Sequence, residues 1–234
     1  MHTADVSAKT PNAAMIFAAG FGTRMGDLTK DTPKPMLKLG GRPMIDRSVD
    51  LLRSAGINRI VANTHYLHDK IAPHLKRIGV ENSHEQGQIL DTGGGLRLAH
   101  PLLGQGPVVT LNPDAGWNGP NPIQTLLSAW RPEFRALLLV VPVARALARK
   151  TPGDFSFESG TLRRRGGFVY TGAQIIDQSL LESVPEEVFS LNRIWDILIE
   201  DNALHGVSYA GQWCDIGHAE GLSVAEKMLA QDDV

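Results

Sequence analysis

Two basic side chains near the start of the chain and two acids about a hundred residues apart are the groups best suited to chemistry. Arg24 belongs to Met15-Ile-Phe-Ala-Ala-Gly-Phe-Gly-Thr-Arg-Met-Gly26, an apolar run that passes into a glycine-rich turn. Small residues at Ala18, Ala19, Gly20 and Gly22 let backbone N–H groups approach phosphate oxygens closely. Arg24, after Thr23 and before Met25, adds a fixed positive charge with several donors. Lys34 stands between Pro33 and Pro35, which are expected to hold the segment extended and present its ammonium as a compact charge. Asp114 comes directly after the apolar run that ends at Asn112, and Asp215 follows Trp213-Cys214. Two carboxylates from distant segments suit magnesium, which keeps waters and takes one or two carboxylates together with substrate phosphates.

Each feature has a plainer reading. A dinucleotide fingerprint requires G-x-G-x-x-G, and here the third glycine falls one position late, at Gly26. The Gly-Lys-Ser/Thr of a P-loop is absent. Asn112-Pro113-Asp114 is also turn chemistry, and Asp215 can serve as a helix cap. The run Arg163-Arg164-Arg165 can meet a phosphate or form a solvated hairpin face. The eight histidines lack the paired spacing of a zinc site. Cys214 reads as buried packing rather than a nucleophile.

The elements that must position these groups alternate. Short apolar runs at Met15–Ala19, Ile57–Asn63, Pro107–Asn112 and Ala136–Val143 read as buried strands. Between them lie segments of helical period: one opened by Pro43 and closed by Gly56, one over Leu67–Ile78, and one from Pro122 to Trp130. Thr92-Gly93-Gly94-Gly95 reads as a loop leading into a helix at Leu96–His100, whose backbone can read a base edge or face an anion. Residues 151–165 read as a loop or small hairpin, Phe168–Ile176 as a strand, Leu191–Glu200 as a helix, Leu204–Tyr209 as a strand and Ala219–Ala230 as a closing helix. The fold class is therefore α/β, a mostly parallel mixed sheet with helices on both faces. Ligands of such sheets bind beyond the carboxyl ends of the strands, which is where Arg24 and Asp114 fall.

Composition narrows the function classes. The chain has 234 residues, 42% hydrophobic and 21% charged, with a formal net charge of −2. That is ordinary for a soluble domain and speaks against a long nucleic-acid surface. One cysteine excludes an intrachain disulfide framework and suits a reducing compartment. Residues 1–12 are polar, without a signal-peptide core, and no apolar stretch reaches the roughly 18 residues of a membrane span. The reading is a cytoplasmic protein with a disordered tail over residues 1–12 and one domain over residues 13–234.

Taken together, Ala18-Ala19-Gly20-Phe21-Gly22-Thr23-Arg24-Met25 and Pro33-Lys34-Pro35 resemble the opening of the sugar-phosphate nucleotidyltransferases. Glu85, Leu90–Gly95, Tyr170-Thr171-Gly172, Phe189–Asn192 and Trp213–Gly217 resemble later stretches of the branch acting on N-acetylmuramate 1-phosphate or related sugars. The resemblance implies a Rossmann-like fold that binds a nucleoside triphosphate through residues 13–115 and a sugar 1-phosphate through residues 116–234. It implies that Ala18, Ala19, Gly20, Gly22, Thr23, Arg24, Met25, Lys34, Glu85, Thr92, Gly93, Gly94 and Asn112 serve the nucleotide. Uracil is the favoured base, and peptidoglycan recycling the setting. Asp114 and Asp215 would hold Mg2+ and, with Arg24 and Lys34, form the catalytic set. Asp154, Thr171, Gly172 and Asn192 are the sugar-side candidates. Neither nucleic acid nor membrane is an expected partner, and the protein is expected to be a monomer or small homo-oligomer. Alternatives are a guanylyltransferase acting on mannose or heptose phosphate, a cytidylyltransferase, and a non-catalytic nucleotide-sugar sensor. The chain departs from the family at Pro113, where glycine or serine is common, at Gly217-His218-Ala219 in place of Gly-Thr-Pro, and in the short stretch between Val143 and Gly153.

Overall fold

The computed structural model describes residues 10–230. Its strands are β1 (Ala13–Phe17), β2 (Lys38–Leu39), β3 (Arg42–Pro43), β4 (Arg59–Thr64), β5 (Glu81–His84), β6 (Pro107–Leu111), β7 (Ala115–Asn118), β8 (Ala136–Pro142), β9 (Ala146–Leu147), β10 (Phe155–Glu158), β11 (Thr161–Arg164), β12 (Phe168–Asp177), β13 (Leu204–Ser208) and β14 (Gln212–Asp215). Its α-helices are α1 (Met44–Ser54), α2 (His68–Arg77), α3 (Asp91–Leu103), α4 (Pro122–Ala129), α5 (Asn192–Glu200) and α6 (Ala219–Ala230).

One nine-stranded sheet runs β10-β11-β13-β8-β12-β6-β1-β4-β5. The amino-terminal strands β6, β1, β4 and β5 are mutually parallel. β12 lies antiparallel between β6 and β8 and joins this half to the later one. Helices cover both faces, so the central strands are apolar on every residue rather than on alternate ones. In β8, Leu137, Leu139 and Val141 join the core under α1, α2 and α4. Their neighbours Ala136, Leu138 and Val140 join the core under α3 and α5. A second sheet, β7-β14-β9, sits beside this frame and is packed by α6 through Cys214, Ile216, Ala225 and Met228.

Three points differ from, or fall outside, the sequence reading, and one open choice is resolved. α3 begins at Asp91, so the three glycines are helical rather than a preceding loop. Glycine is a poor helix former, but no larger residue fits: a Cβ on Gly93 would come 2.2 Å from the Phe189 ring edge and one on Gly94 2.4 Å from the Glu187 carbonyl oxygen. Of the loop or small hairpin expected over residues 151–165, the structure has the hairpin, β10–β11. Lys34–Met36 make one 3-10 turn rather than an extended run. Pro35 is tolerated there because an N–H in the first turn has no partner to lose. Of the expected tail, residues 1–9 lie outside the described residues, and Pro11 is buried.

Candidate active site

Two adjoining cavities of about 340 and 330 Å³ open at the carboxyl ends of the parallel strands, and Phe17, Arg24 and Asp114 line both. The smaller lies against the glycine turn and takes in Ala18, Gly20, Gly22, Thr23, Lys34 and Pro113. The larger, inner cavity takes in Thr92, Asn112, Asp154, Thr171, Gly172, Asn192 and Asp215. Ala19 and Met25 are buried beside the turn and line neither cavity.

The two distant acids meet because of a local pairing. Asp114 stands between β6 and β7, and β7 runs antiparallel to β14 with Ala115 opposite Asp215. The N–H of Ile216 donates to the Asp114 carbonyl at 2.9 Å and closes the pair. Arg24 approaches from the glycine turn. A Cβ on Gly217 would sit 3.0 Å from Arg24 Nη1 and 3.1 Å from Asp215 Oδ1, so these two groups flank the same glycine. Lys34 packs beside Gly22 of the glycine turn, and its Nζ donates to Asp114 Oδ2 in an ion pair. The lysine is 9% exposed and Asp114 only partly exposed, so bulk water screens the pair less than a surface one.

A buried chain of side chains ties the glycine turn to α3. Ala18 N–H donates to Asn63 Oδ1 at 2.7 Å, Asn63 Nδ2 to Glu85 Oε1 at 2.6 Å, and Leu90 N–H to Glu85 Oε2 at 2.8 Å. Glu85 is 1% exposed and lines neither cavity; its carboxylate supports the loop. The N–H groups of Gly93 and Gly94 already donate to the Phe189 carbonyl, and Thr92 N–H to Asp91 Oδ1. These three donors are therefore not free for a base edge or an anion. What Gly93 and Gly94 supply is close packing. Thr92 Oγ1 accepts from Leu191 N–H at 3.0 Å and joins α3 to the rim of the inner cavity.

In the inner cavity Asp154 accepts from Arg149 Nη2 at 2.6 Å and from Tyr170 N–H at 3.0 Å. Gly172 sits at a bulge in β12, with φ of 85°. Its carbonyl accepts from Asn112 N–H at 2.8 Å, and a Cβ there would come 2.8 Å from Asn112 Cβ. Thr171 is held by Leu139 and Trp213, while Asn192 Nδ2 donates to Ser190 Oγ. The basic run divides by strand alternation. Arg164 lines the cavity with its guanidinium 5.1 Å from the Phe155 ring centroid, whereas Arg163 turns outward to Asn202. Arg149 and Gln174 were not legible as site residues. Arg149 lies in the irregular stretch after β8, and Gln174 reads as one polar interruption of an apolar strand.

The donor set suits a hard divalent ion. Asp114 and Asp215 offer carboxylate oxygens and face the same cavity. Among the described residues no group of three or more His, Cys, Asp or Glu side chains is gathered to hold a metal unaided. Further ligands would come from phosphate oxygens and water, as magnesium prefers. Cys214 is not available: it is fully buried, and burial first, then the Asp215 charge, pushes its pKa up to about 12.

Residues 14–155 match the MobA-like NTP transferase domain. The chain is 32% identical to N-acetylmuramate alpha-1-phosphate uridylyltransferase of Caulobacter vibrioides, over 95% of this chain and 99% of that one. It is 28% identical to the protein of the same name from Neisseria meningitidis serogroup B, over 92% and 97%. Its fold matches the inositol-1-phosphate CTP transferase of T. maritima with a TM-score of 0.78 at 17% identity, covering 94% of this chain and 96% of that one.

Proposed function

The chain belongs to the MobA-like NTP transferase family, and we propose on that ground that it joins a sugar 1-phosphate to a nucleoside triphosphate, releasing pyrophosphate. One observation carries the reading: Arg24 and Asp114 line both cavities, Lys34 reaches Asp114 from the first, and Asp215 joins them from the second. A transfer between two phosphorylated substrates needs such a junction. The cavity beside the glycine turn is assigned to the triphosphate and the inner one to the sugar. The relatives' names favour UTP and N-acetylmuramate 1-phosphate. Such a reaction returns a cell-wall sugar to nucleotide-bound form, as peptidoglycan recycling requires. The reading places the enzyme in the cytoplasm, where nucleoside triphosphates are available, as a monomer or small homo-oligomer.

The chemistry follows from the charges. A phosphate monoester has a second pKa near ~6, so its attacking oxygen is already largely anionic and needs no dedicated base. The barrier is repulsion and misalignment. Arg24 and Lys34 offset negative charge where pyrophosphate departs, and the carboxyl ends of β6 and β14 hold the α-phosphate region in line with the sugar phosphate. Mg2+ held by Asp114 and Asp215 would neutralise phosphate charge as a Lewis acid. Pyrophosphate release should be followed with each common nucleoside triphosphate against a panel of sugar 1-phosphates. Release that requires a sugar 1-phosphate supports the reading. Release without one, or none with any pair, removes it.

A further inference from the structure

The inner cavity is lined by a residue with a polar group that no described residue satisfies. Gln174 on β12 is fully buried and lines that cavity. Its Oε1 accepts from Trp195 Nε1 at 2.9 Å. An indole N–H can only donate, so it sets which end of the amide faces Trp195 and leaves Nε2 as the other end. Among the described residues Nε2 has no hydrogen-bond partner, and neither has the buried Nε of Arg149, which lines the same cavity. Unmade buried donors are costly, and two on residues that line one cavity point to something that accepts from them.

Position and chemistry narrow what that is. Gln174 pairs across the sheet with Thr110, four residues before Asp114 along β6. It therefore lies toward the sheet interior from the reacting end and meets the part of a ligand that reaches deepest. Both free groups are donors. A carboxylate or acyl carbonyl needs donors alone.

We propose that Gln174 is a specificity-determining residue. Its Nε2, together with Arg149 Nε, donates to a carboxylate or acyl oxygen on a ring substituent of the sugar. This rests on the sugar 1-phosphate reading above. A site built to hydrogen-bond one substituent discriminates strongly against substrates lacking it.

The test uses two variants of the full chain. Gln174→Glu keeps the acceptor for Trp195 and removes the donor, and Gln174→Met removes both at similar length. kcat/KM is measured with glucose 1-phosphate, its 2-acetamido analogue, and the 2-acetamido analogue carrying a lactyl ether. An inhibition constant replaces kcat/KM where turnover is too slow. UTP affinity, measured alongside, reports on the fold and the first cavity and stays unchanged. Loss of roughly 10- to 100-fold for both acetamido sugars, with glucose 1-phosphate spared, identifies the acyl oxygen as the partner. The same loss confined to the lactyl ether identifies the carboxylate. Equal losses for all three sugars, or none, overturn the role of Gln174 while the reaction stands. A wild-type protein that binds UTP but turns over no sugar 1-phosphate overturns the reaction itself, and this inference with it.

Discussion

Lys34 Nζ donates to Oδ2 of Asp114, joining residues 80 apart and tying the proline-flanked turn to the end of β6. The pair gives Asp114 a counter-charge before any substrate arrives. A triphosphate entering beside the glycine turn meets a wall of matched charge rather than a bare carboxylate.

Lys34→Ala removes the counter-charge and the cation facing the leaving pyrophosphate. Steady-state kinetics should show kcat lowered by about 10²- to 10³-fold, the scale of a lost transition-state donor. Circular dichroism should show a folded protein. Wild-type turnover would remove Lys34 from the mechanism.

Asp114→Asn and Asp215→Asn keep shape and remove charge. Each should abolish the dependence of rate on magnesium concentration. Because the two acids act as one unit, the double variant should be little slower than the worse single one. Multiplying losses would show that they act separately.

Glu85→Gln tests the buried chain from Ala18 to Leu90. The new amide directs N–H toward either Asn63 Nδ2 or Leu90 N–H, so one buried donor loses its acceptor. Denaturant unfolding should show a loss of about 1–3 kcal/mol. A loss of catalysis with unchanged stability would instead give Glu85 a contact with substrate.

Gly172→Ala places a methyl group against Asn112 at a φ of 85°. Backbone strain of this kind costs roughly 1–3 kcal/mol, read as a lower melting temperature. The shift of Asn112 beside Asp114 should lower kcat as well.

Cys214 titrates far above the ordinary thiol value of 9.0, pushed up to about 12 by burial and then by the Asp215 charge. The unfolded thiol ionises first as pH rises, so the unfolded state binds fewer protons between about pH 9 and pH 12 and this contribution to stability falls across that window. Below it the thiol is neutral in both states and contributes no pH dependence. An alkylating reagent at neutral pH should modify Cys214 only as fast as the protein unfolds. Fast labelling of folded protein would contradict its burial.

Much of this arrangement is visible in the residues themselves. The apolar runs that become β1, β4, β6 and β8 are short, continuous and rich in β-branched or small residues, as strands buried on both faces must be. α1 and α4 announce themselves through Pro43, Gly56 and Pro122. The small sheet is hidden, because Ala115–Asn118 and Gln212–Asp215 are strands only by virtue of pairing with each other across the chain. The start of α3 is hidden too, since its three glycines oppose helix formation until Phe189, Glu187 and Glu85 close around them. Arg164 is separated from Arg163 only once the strand gives the run a facing direction, and Gln174 acquires meaning only when Trp195 occupies one end of its amide.

Phosphorus NMR of wild-type protein with UTP, magnesium and N-acetylmuramate 1-phosphate tests the central claim most directly, with the sugar phosphate labelled by heavy oxygen at its non-bridging positions. The account predicts a nucleotide-sugar carrying the label in its new diphosphate bridge, unlabelled pyrophosphate, and neither product from Asp215→Asn. Label in free inorganic phosphate, UMP without nucleotide-sugar, or full conversion by the variant would contradict it.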